Sequence, residues 1–250
     1  MKLEIRNWKS EIRNLRLSNF YSSFFLLFLL TLFLCFIATS CKKEKIIPGS
    51  TSYNYFPTEE GKYVVYSVDS VFHSDNDNNT DDSVYSWHYQ VKELIGETFI
   101  DGEGRPVQIL RRFRRDTESE EWVEVNVCTQ LLTAAAVYRT EDNIAYHRLA
   151  FPINSSIQWD GNDANTLDVE MYSYENFHAP LEMNSFSFDS TLSILQVDED
   201  NFVEKIYGEE VYANHVGLIY RVRDELRKVN GFPVKGTEFR MQVIGYGVEN

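Results

Sequence analysis

Three kinds of residue in this chain could do chemistry: an acidic run, an arginine cluster and scattered histidines. Asp75, Asp77 and Asn79 stand at alternate positions of Ser74-Asp75-Asn76-Asp77-Asn78-Asn79-Thr80-Asp81-Asp82. Alternating side-chain oxygens of that kind occupy the first, third and fifth places of a calcium-binding loop. The sixth place holds Thr80 where such a loop needs glycine, and the twelfth holds Ser86 where it needs a bidentate glutamate. The run therefore reads as a polar hairpin loop, with calcium at Asp75, Asp77 and Asn79 as the alternative. Arg111, Arg112, Arg114 and Arg115 surround Phe113 and form the densest basic cluster. They read either as an anion site or as cross-strand partners of Glu118, Glu120, Glu121 and Glu124, and the second reading is preferred. His73, His88, His147, His178 and His215 occur singly, without metal-ligand spacing, though His73 and His88 flank the acidic run and are candidates to meet across its hairpin. The acid pair Glu209-Glu210 points to opposite faces on a strand, so it makes no two-carboxylate site by itself. The sequence has no nucleophile elbow and no phosphate-cradling glycine loop, and no catalytic residue, metal ligand or cofactor is assigned.

The thiols are more informative. Of the three cysteines, Cys35 lies in an apolar run, Phe24 to Ile37, and Cys41 follows Ala38-Thr39-Ser40. Lys2, Arg6, Lys9, Arg13 and Arg16 precede the run, against Glu4 and Glu11. A basic start, about 7–15 apolar residues and small residues before a cut site make an export signal. Its end resembles a bacterial lipobox, which implies cleavage before Cys41 and diacylglycerol on the Cys41 thiol. Ala38 stands where that motif most often has leucine. The alternative is an uncleaved signal anchor. Acyl chains on Cys41 would hold the protein at a membrane. CKKEK after the cut differs from the acidic stretch of surface-exposed lipoproteins in Bacteroidota-type envelopes. The expected location is therefore the outer membrane, facing the periplasm, with surface exposure as the alternative.

The chain then divides into a signal peptide (1–40), a flexible tether (41–55) rich in Lys, Pro, Gly and Ser, and one domain (56–250). Without residues 1–40 the balance is 19 basic against 36 acidic residues. Such acidity excludes nucleic acid as a partner. Only Cys128 is left as a free thiol, so no internal disulfide forms and stability rests on a core. Cys128 itself reads as a small buried hydrophobe.

Strand signals fill residues 56–250. Tyr63–Phe72 is β-branched and aromatic, and Tyr85, Trp87, Tyr89 and Val91 alternate with polar residues. Val107–Arg115 and Glu121–Cys128 flank a turn, and Phe186, Phe188, Ser190, Leu192 and Ile194 face one way along the clearest strand. Val216–Val229 and Glu238–Tyr246 flank Asn230-Gly231-Phe232-Pro233. Gln130–Tyr138 is read as strand despite its alanines, and Ile206–Ala213 as a short helix, with another strand as the alternative. The fold class expected is mainly β: an antiparallel, strongly curved sheet, half-barrel or barrel with at most one or two short helices. Polar residues on one face of many strands point to a sheet with one wet side. Tyr63, Tyr66, Trp87, Phe188 and Tyr220 are expected in the core, with a concave apolar cup as the functional alternative.

The chain also resembles an uncharacterised family of Bacteroidota envelope lipoproteins. The resemblance rests on Tyr55-Phe56-Pro57 with Gly61, Tyr66-Ser67-Val68-Asp69-Ser70, Phe151-Pro152 with Trp159-Asp160-Gly161-Asn162, Phe188-Asp189-Ser190-Thr191-Leu192 with Gln196, and Tyr212–Tyr220. It spans most of residues 55–247 and implies an envelope location, but no functional residue. At the level of fold the chain is similar to half-barrel lipoprotein carriers. The expected function is non-enzymatic binding of a hydrophobic ligand or an envelope protein. A structural subunit without a small ligand is the alternative, and an envelope hydrolase stands third.

Overall fold

The computed structural model describes residues 51–74 and 83–249. Cys41 and the run Asp75, Asp77, Asn79 lie outside the described residues. Twelve strands follow one another: β1 (Lys62–Ser74), β2 (Ser83–Ile100), β3 (Pro106–Arg115), β4 (Val123–Leu132), β5 (Ala136–Glu141), β6 (Ile144–Ala150), β7 (Gln158–Asp160), β8 (Met171–Met183), β9 (Phe186–Asp200), β10 (Glu204–Ala213), β11 (Gly217–Val229) and β12 (Phe232–Val248). Neighbours in sequence pair antiparallel within β1–β6 and within β7–β12. The two meanders join where β1 pairs with β12, giving the order β6-β5-β4-β3-β2-β1-β12-β11-β10-β9-β8-β7. The sheet curls into a nearly closed barrel, and the one helical turn among the described residues is a 3-10 turn at Thr51–Tyr55.

The expected antiparallel β class is therefore observed, with local corrections. Ile206–Ala213 is not a helix but most of β10, paired on both sides. Its alternate residues Gly208, Glu210 and Tyr212 all turn inward, and a charged residue at an inner position hid the period of two. Gln130–Tyr138 is two strand ends around a tight corner. There the Thr133 hydroxyl accepts from the Ala136 amide at 2.9 Å and from the Ala135 amide at 3.2 Å. Two-residue turns at Asp142-Asn143 and Asn230-Gly231, with positive φ at all four residues, set the registers of β5–β6 and β11–β12.

Tyr66 and Phe188 are buried as expected, inside a core with Val68, Leu192, Ile194, Ile219 and Val243. Tyr63 and Tyr220 are half-buried. Trp87 is not in the core: it is 48% exposed, because the β1–β2 hairpin extends past the barrel wall that would cover it. The 3-10 turn falls in the stretch read as tether, and it brings Tyr55 into the core beside Phe56. The Tyr55 hydroxyl lies 2.7 Å from Ser190 Oγ and 2.9 Å from His178 Nδ1, so this segment plugs one end of the barrel.

β6 and β7 share no ladder. Side chains bridge them: Trp159 Nε1 donates to His147 O at 3.0 Å, and the Tyr174 hydroxyl accepts from Ala150 N at 3.0 Å and donates to Ala150 O. Asn165 Nδ2 donates to Ala145 O at 2.9 Å, and the His147 amide donates to Gly161 O at 2.9 Å. These bonds satisfy edge groups that would otherwise be left open. No helix among the described residues is long and apolar enough to cross a membrane.

Candidate functional site

The interior next to the Tyr55–Phe56 plug is charged, with the Arg139 guanidinium 5.9 Å from the centre of the Phe56 ring. Register explains how. Tyr89, Val68, Met241, Arg221, Glu210 and Ile194 form one inward row across β2, β1, β12, β11, β10 and β9. In the opposite wall Glu93 pairs with Arg112, and Gln130 with Arg139. The Asp142-Asn143 turn holds Glu141 opposite Ile144, at the mouth. Three carboxylates (Glu93, Glu141, Glu210) thus meet four guanidiniums (Arg112, Arg139, Arg148, Arg221).

Glu93 accepts from Arg112 at 2.6 and 3.1 Å and from Arg139 at 3.1 Å. Glu210, fully buried, accepts from Arg148 at 3.1 Å and from the Tyr212 hydroxyl at 2.6 Å. Arg221 Nε lies 2.8 Å from Glu210 Oε1, close as an ion pair but misaligned as a hydrogen bond. Glu141 is ringed loosely, its Oε1 at 3.5 Å from Arg148, 3.7 Å from Arg221 and 3.9 Å from Arg139, and its Oε2 at 3.5 Å from Arg112. None of these makes a hydrogen bond to Glu141 Oε1.

Burial pushes all three carboxyls up, and the surrounding guanidiniums more than offset it. For Glu141, Arg221, Arg148, Arg112 and Arg139 together hold the group well below the usual carboxylate range. Glu93 is lowered mainly by Arg139 and Arg112, and Glu210 by Arg221 and Arg148. Carboxylates held as anions cannot donate a proton near neutrality, which is the opposite of a tuned general acid. Burial also raises the Cys128 thiol, which sits 1% exposed against Ile95 and Leu110, as its reading as a small hydrophobe requires. Among the described residues no three His, Cys, Asp or Glu side chains are grouped to hold a metal.

This arrangement gives a sign for pH dependence. The three carboxyls titrate lower folded than unfolded, so their stabilising contribution is full above the unfolded value of about 4.3 and is lost as pH falls through the folded values. The urea midpoint is expected to be level from pH 7 to about 5 and to fall steeply below about 4. A midpoint that rises on acidification would contradict the charged state of the network.

The network opens into a cleft of about 470 Å3, whose walls include Tyr146, Arg148, Tyr172, Gln196, Arg221, Arg223 and Phe239. Gly208 makes room there, since a Cβ at that position would stand 2.9 Å from Arg223 Nη1 and 3.0 Å from Gln196 Oε1. Arg223 grips Glu170 at 2.7 and 2.9 Å and Glu225 at 2.8 Å. A smaller space of about 30 Å3 lies on the plug side of the network, between Phe56, Tyr66 and Leu218 and the side chains of Glu93 and Arg139.

The same inward face runs on past the cleft. Trp87, Ser70, Phe239, Arg223 and Gly208 form the next row, and Tyr85, Phe72, Thr237, Glu225 and Ile206 the one beyond. Tyr85 and Trp87 stack with ring centroids 6.2 Å apart and planes 18° off parallel. Phe72, Tyr85 and Trp87 are 39%, 51% and 48% exposed, a strip of large aromatics at the rim of the cleft.

The residues singled out in the sequence fare unevenly. Arg111 does reach Glu124 at 3.4 Å, but it also reaches Glu97 on β2 at 3.2 Å. Arg112 turns inward to Glu93, Arg114 pairs with Asp116 and stacks on Tyr89, and Arg115 bonds Gln90. The cluster is thus split between faces, and its strongest partner lies on β2 rather than β4. His73 and His88 do not meet: His73 pairs with Glu238 on β12 and His88 with Asp69, each at 2.8 Å. Glu209 and Glu210 point to opposite faces, yet Glu210 finds its companions on other strands. The signal for the missed network is a charged residue two positions from an inward apolar one, as in Val91-x-Glu93-x-Ile95, Val137-x-Arg139-x-Glu141 and Ile219-x-Arg221.

No family model and no curated protein matches the chain. Two solved structures are similar to it at 10% identity, each match covering 77% of this chain and 98% of the other. One is a "putative exported protein with YmcC-like fold" from Bacteroides fragilis NCTC 9343, with a TM-score of 0.42. The other is a "putative lipoprotein" from Parabacteroides distasonis ATCC 8503, with a TM-score of 0.40.

Proposed function

We propose that this chain is a lipid-anchored, non-enzymatic protein of the bacterial cell envelope, held by acyl chains on Cys41 at the outer membrane on its periplasmic side, and that it docks another envelope protein. The observation that carries the docking is the strip of Phe72, Tyr85 and Trp87. It continues the inner face of the barrel beyond the wall, where three large aromatics on one surface are left open. Exposed contiguous aromatics mark association surfaces, and Trp and Tyr dominate their energetics. The space beside Phe56, Tyr66 and Leu218, about 30 Å3, is too small for a lipid chain, which supports a protein partner over a hydrophobic small ligand there.

One fractionation experiment tests both parts. Native mass spectrometry of the chain extracted from its own envelope should show a second protein, and a Tyr85→Ser/Trp87→Ser variant should lose it while keeping its melting temperature. Cys41→Ser should release the chain into the soluble fraction. Co-purification of a lipid with no second protein would sink the docking reading in favour of a carrier. A chain that comes alone would favour a self-contained structural role. Membrane retention of Cys41→Ser would refute the lipid anchor.

A further inference from the structure

The cleft floor has more hydrogen-bond donors than the protein itself uses. Its acids are already engaged: Glu170 and Glu225 by Arg223, Glu210 by Arg148, Arg221 and Tyr212, and Asp142 by Asn126 at 2.9 Å. Left without a hydrogen-bond partner are Arg148 Nε, Arg221 Nη2 and Gln196 Nε2, all on residues that line the cleft. Arg148 and Gln196 are 7% and 6% exposed, so water reaches them poorly. The one buried acceptor left unpartnered among the described cleft residues is Glu141 Oε1, which the guanidiniums surround. Orphaned buried donors are costly, and a ligand that brings acceptor oxygens corrects them.

We infer that the cleft binds an oxyanion, a carboxylate or phosphate group carried by a small ligand, against Arg148, Arg221 and Gln196. Guanidinium forks match the planar or tetrahedral oxygens of such groups, and the Gln196 amide adds a neutral donor. Gly208 keeps the floor clear by having no side chain between Gln196 and Arg223. Tyr146, Tyr172 and Phe239 wall the space above, so the body of the ligand meets aromatic surface. This site is distinct from the aromatic strip, and its test stands whether or not a protein docks there.

The experiment is thermal melting of the full chain in detergent with succinate, inorganic phosphate or submicellar dihexanoyl phosphatidylglycerol, each compared with chloride at equal ionic strength. A binder of the folded state raises the melting temperature with concentration. At least one of the three anions should do so. Response to succinate or phosphate identifies a soluble anion, and response to the lipid alone identifies a headgroup. Gln196→Leu removes a donor that holds no partner, so it should fold as the parent does and bind at least tenfold more weakly. Arg221→Lys, which keeps the charge but loses the fork, should weaken binding as well. No anion exceeding chloride, or a Gln196→Leu response equal to that of the parent, overturns the assignment.

Discussion

Glu210→Ala is expected to destabilise the barrel by about 3–5 kcal/mol, the cost of breaking a buried ion pair from one side. The carboxylate is fully buried and is the acceptor for Arg148, the ion-pair partner of Arg221 and the acceptor for the Tyr212 hydroxyl. Removing it leaves two guanidiniums and a hydroxyl in a low-dielectric interior, with Glu141 as the nearest remaining acid and no direct hydrogen bond to its Oε1. Equilibrium urea unfolding measures the loss. A companion Glu210→Leu/Arg221→Leu variant should recover part of it, because removing both charges is far milder than stranding one. A loss under 1 kcal/mol for Glu210→Ala would show that water reaches the network and that its charges are screened.

Trp159→Ala is expected to cost about the same, about 3–5 kcal/mol, by a different route. Trp159 packs on Tyr174 at 4.7 Å and Tyr172 at 5.8 Å, and its indole nitrogen closes the seam onto His147. Truncation removes the packing and opens the one junction of the barrel that lacks a ladder. Native-state hydrogen exchange should therefore quicken most at β5 and β6, while the β1–β12 amides stay protected. Trp159→Phe, which keeps most of the volume and loses the N–H, should fall between. Uniform exchange across the sheet would mean that the seam is not a separate point of opening.

What could be read from the sequence follows from which faces were apolar. β1, β9, β11 and the Asn230-Gly231 turn were legible because Val64, Tyr66 and Val68, or Phe188, Leu192 and Ile194, alternate with polar neighbours. The same rule misled elsewhere. A period of two assigns polar residues to water, so the polar faces of the strands read as one wet side of the sheet, whereas Glu93, Arg139 and Arg148 are buried in the inner wall of a barrel. β10 suffered most, since Gly208 and Glu210 at inward positions broke the pattern and suggested a helix. Trp87 failed in the opposite sense: the sequence correctly put it on the apolar face, but only tertiary structure shows that this part of the face is uncovered. The cleft needs residues from seven strands, so no local spacing could have announced it.

The pairing of β1 with β12 has a kinetic consequence. Lys62 meets Val248, so the central ladder of the sheet joins nearly the two ends of the folded chain. Every other neighbouring pair is consecutive in sequence and can zip up locally, which makes each six-stranded half a natural early unit. In a chain that is threaded across a membrane from its N-terminal end, β1 would wait with one edge open until β12 arrives last. During that interval the half-formed sheet exposes an unpaired strand and stranded interior charges, and it is then that a holding chaperone would matter most.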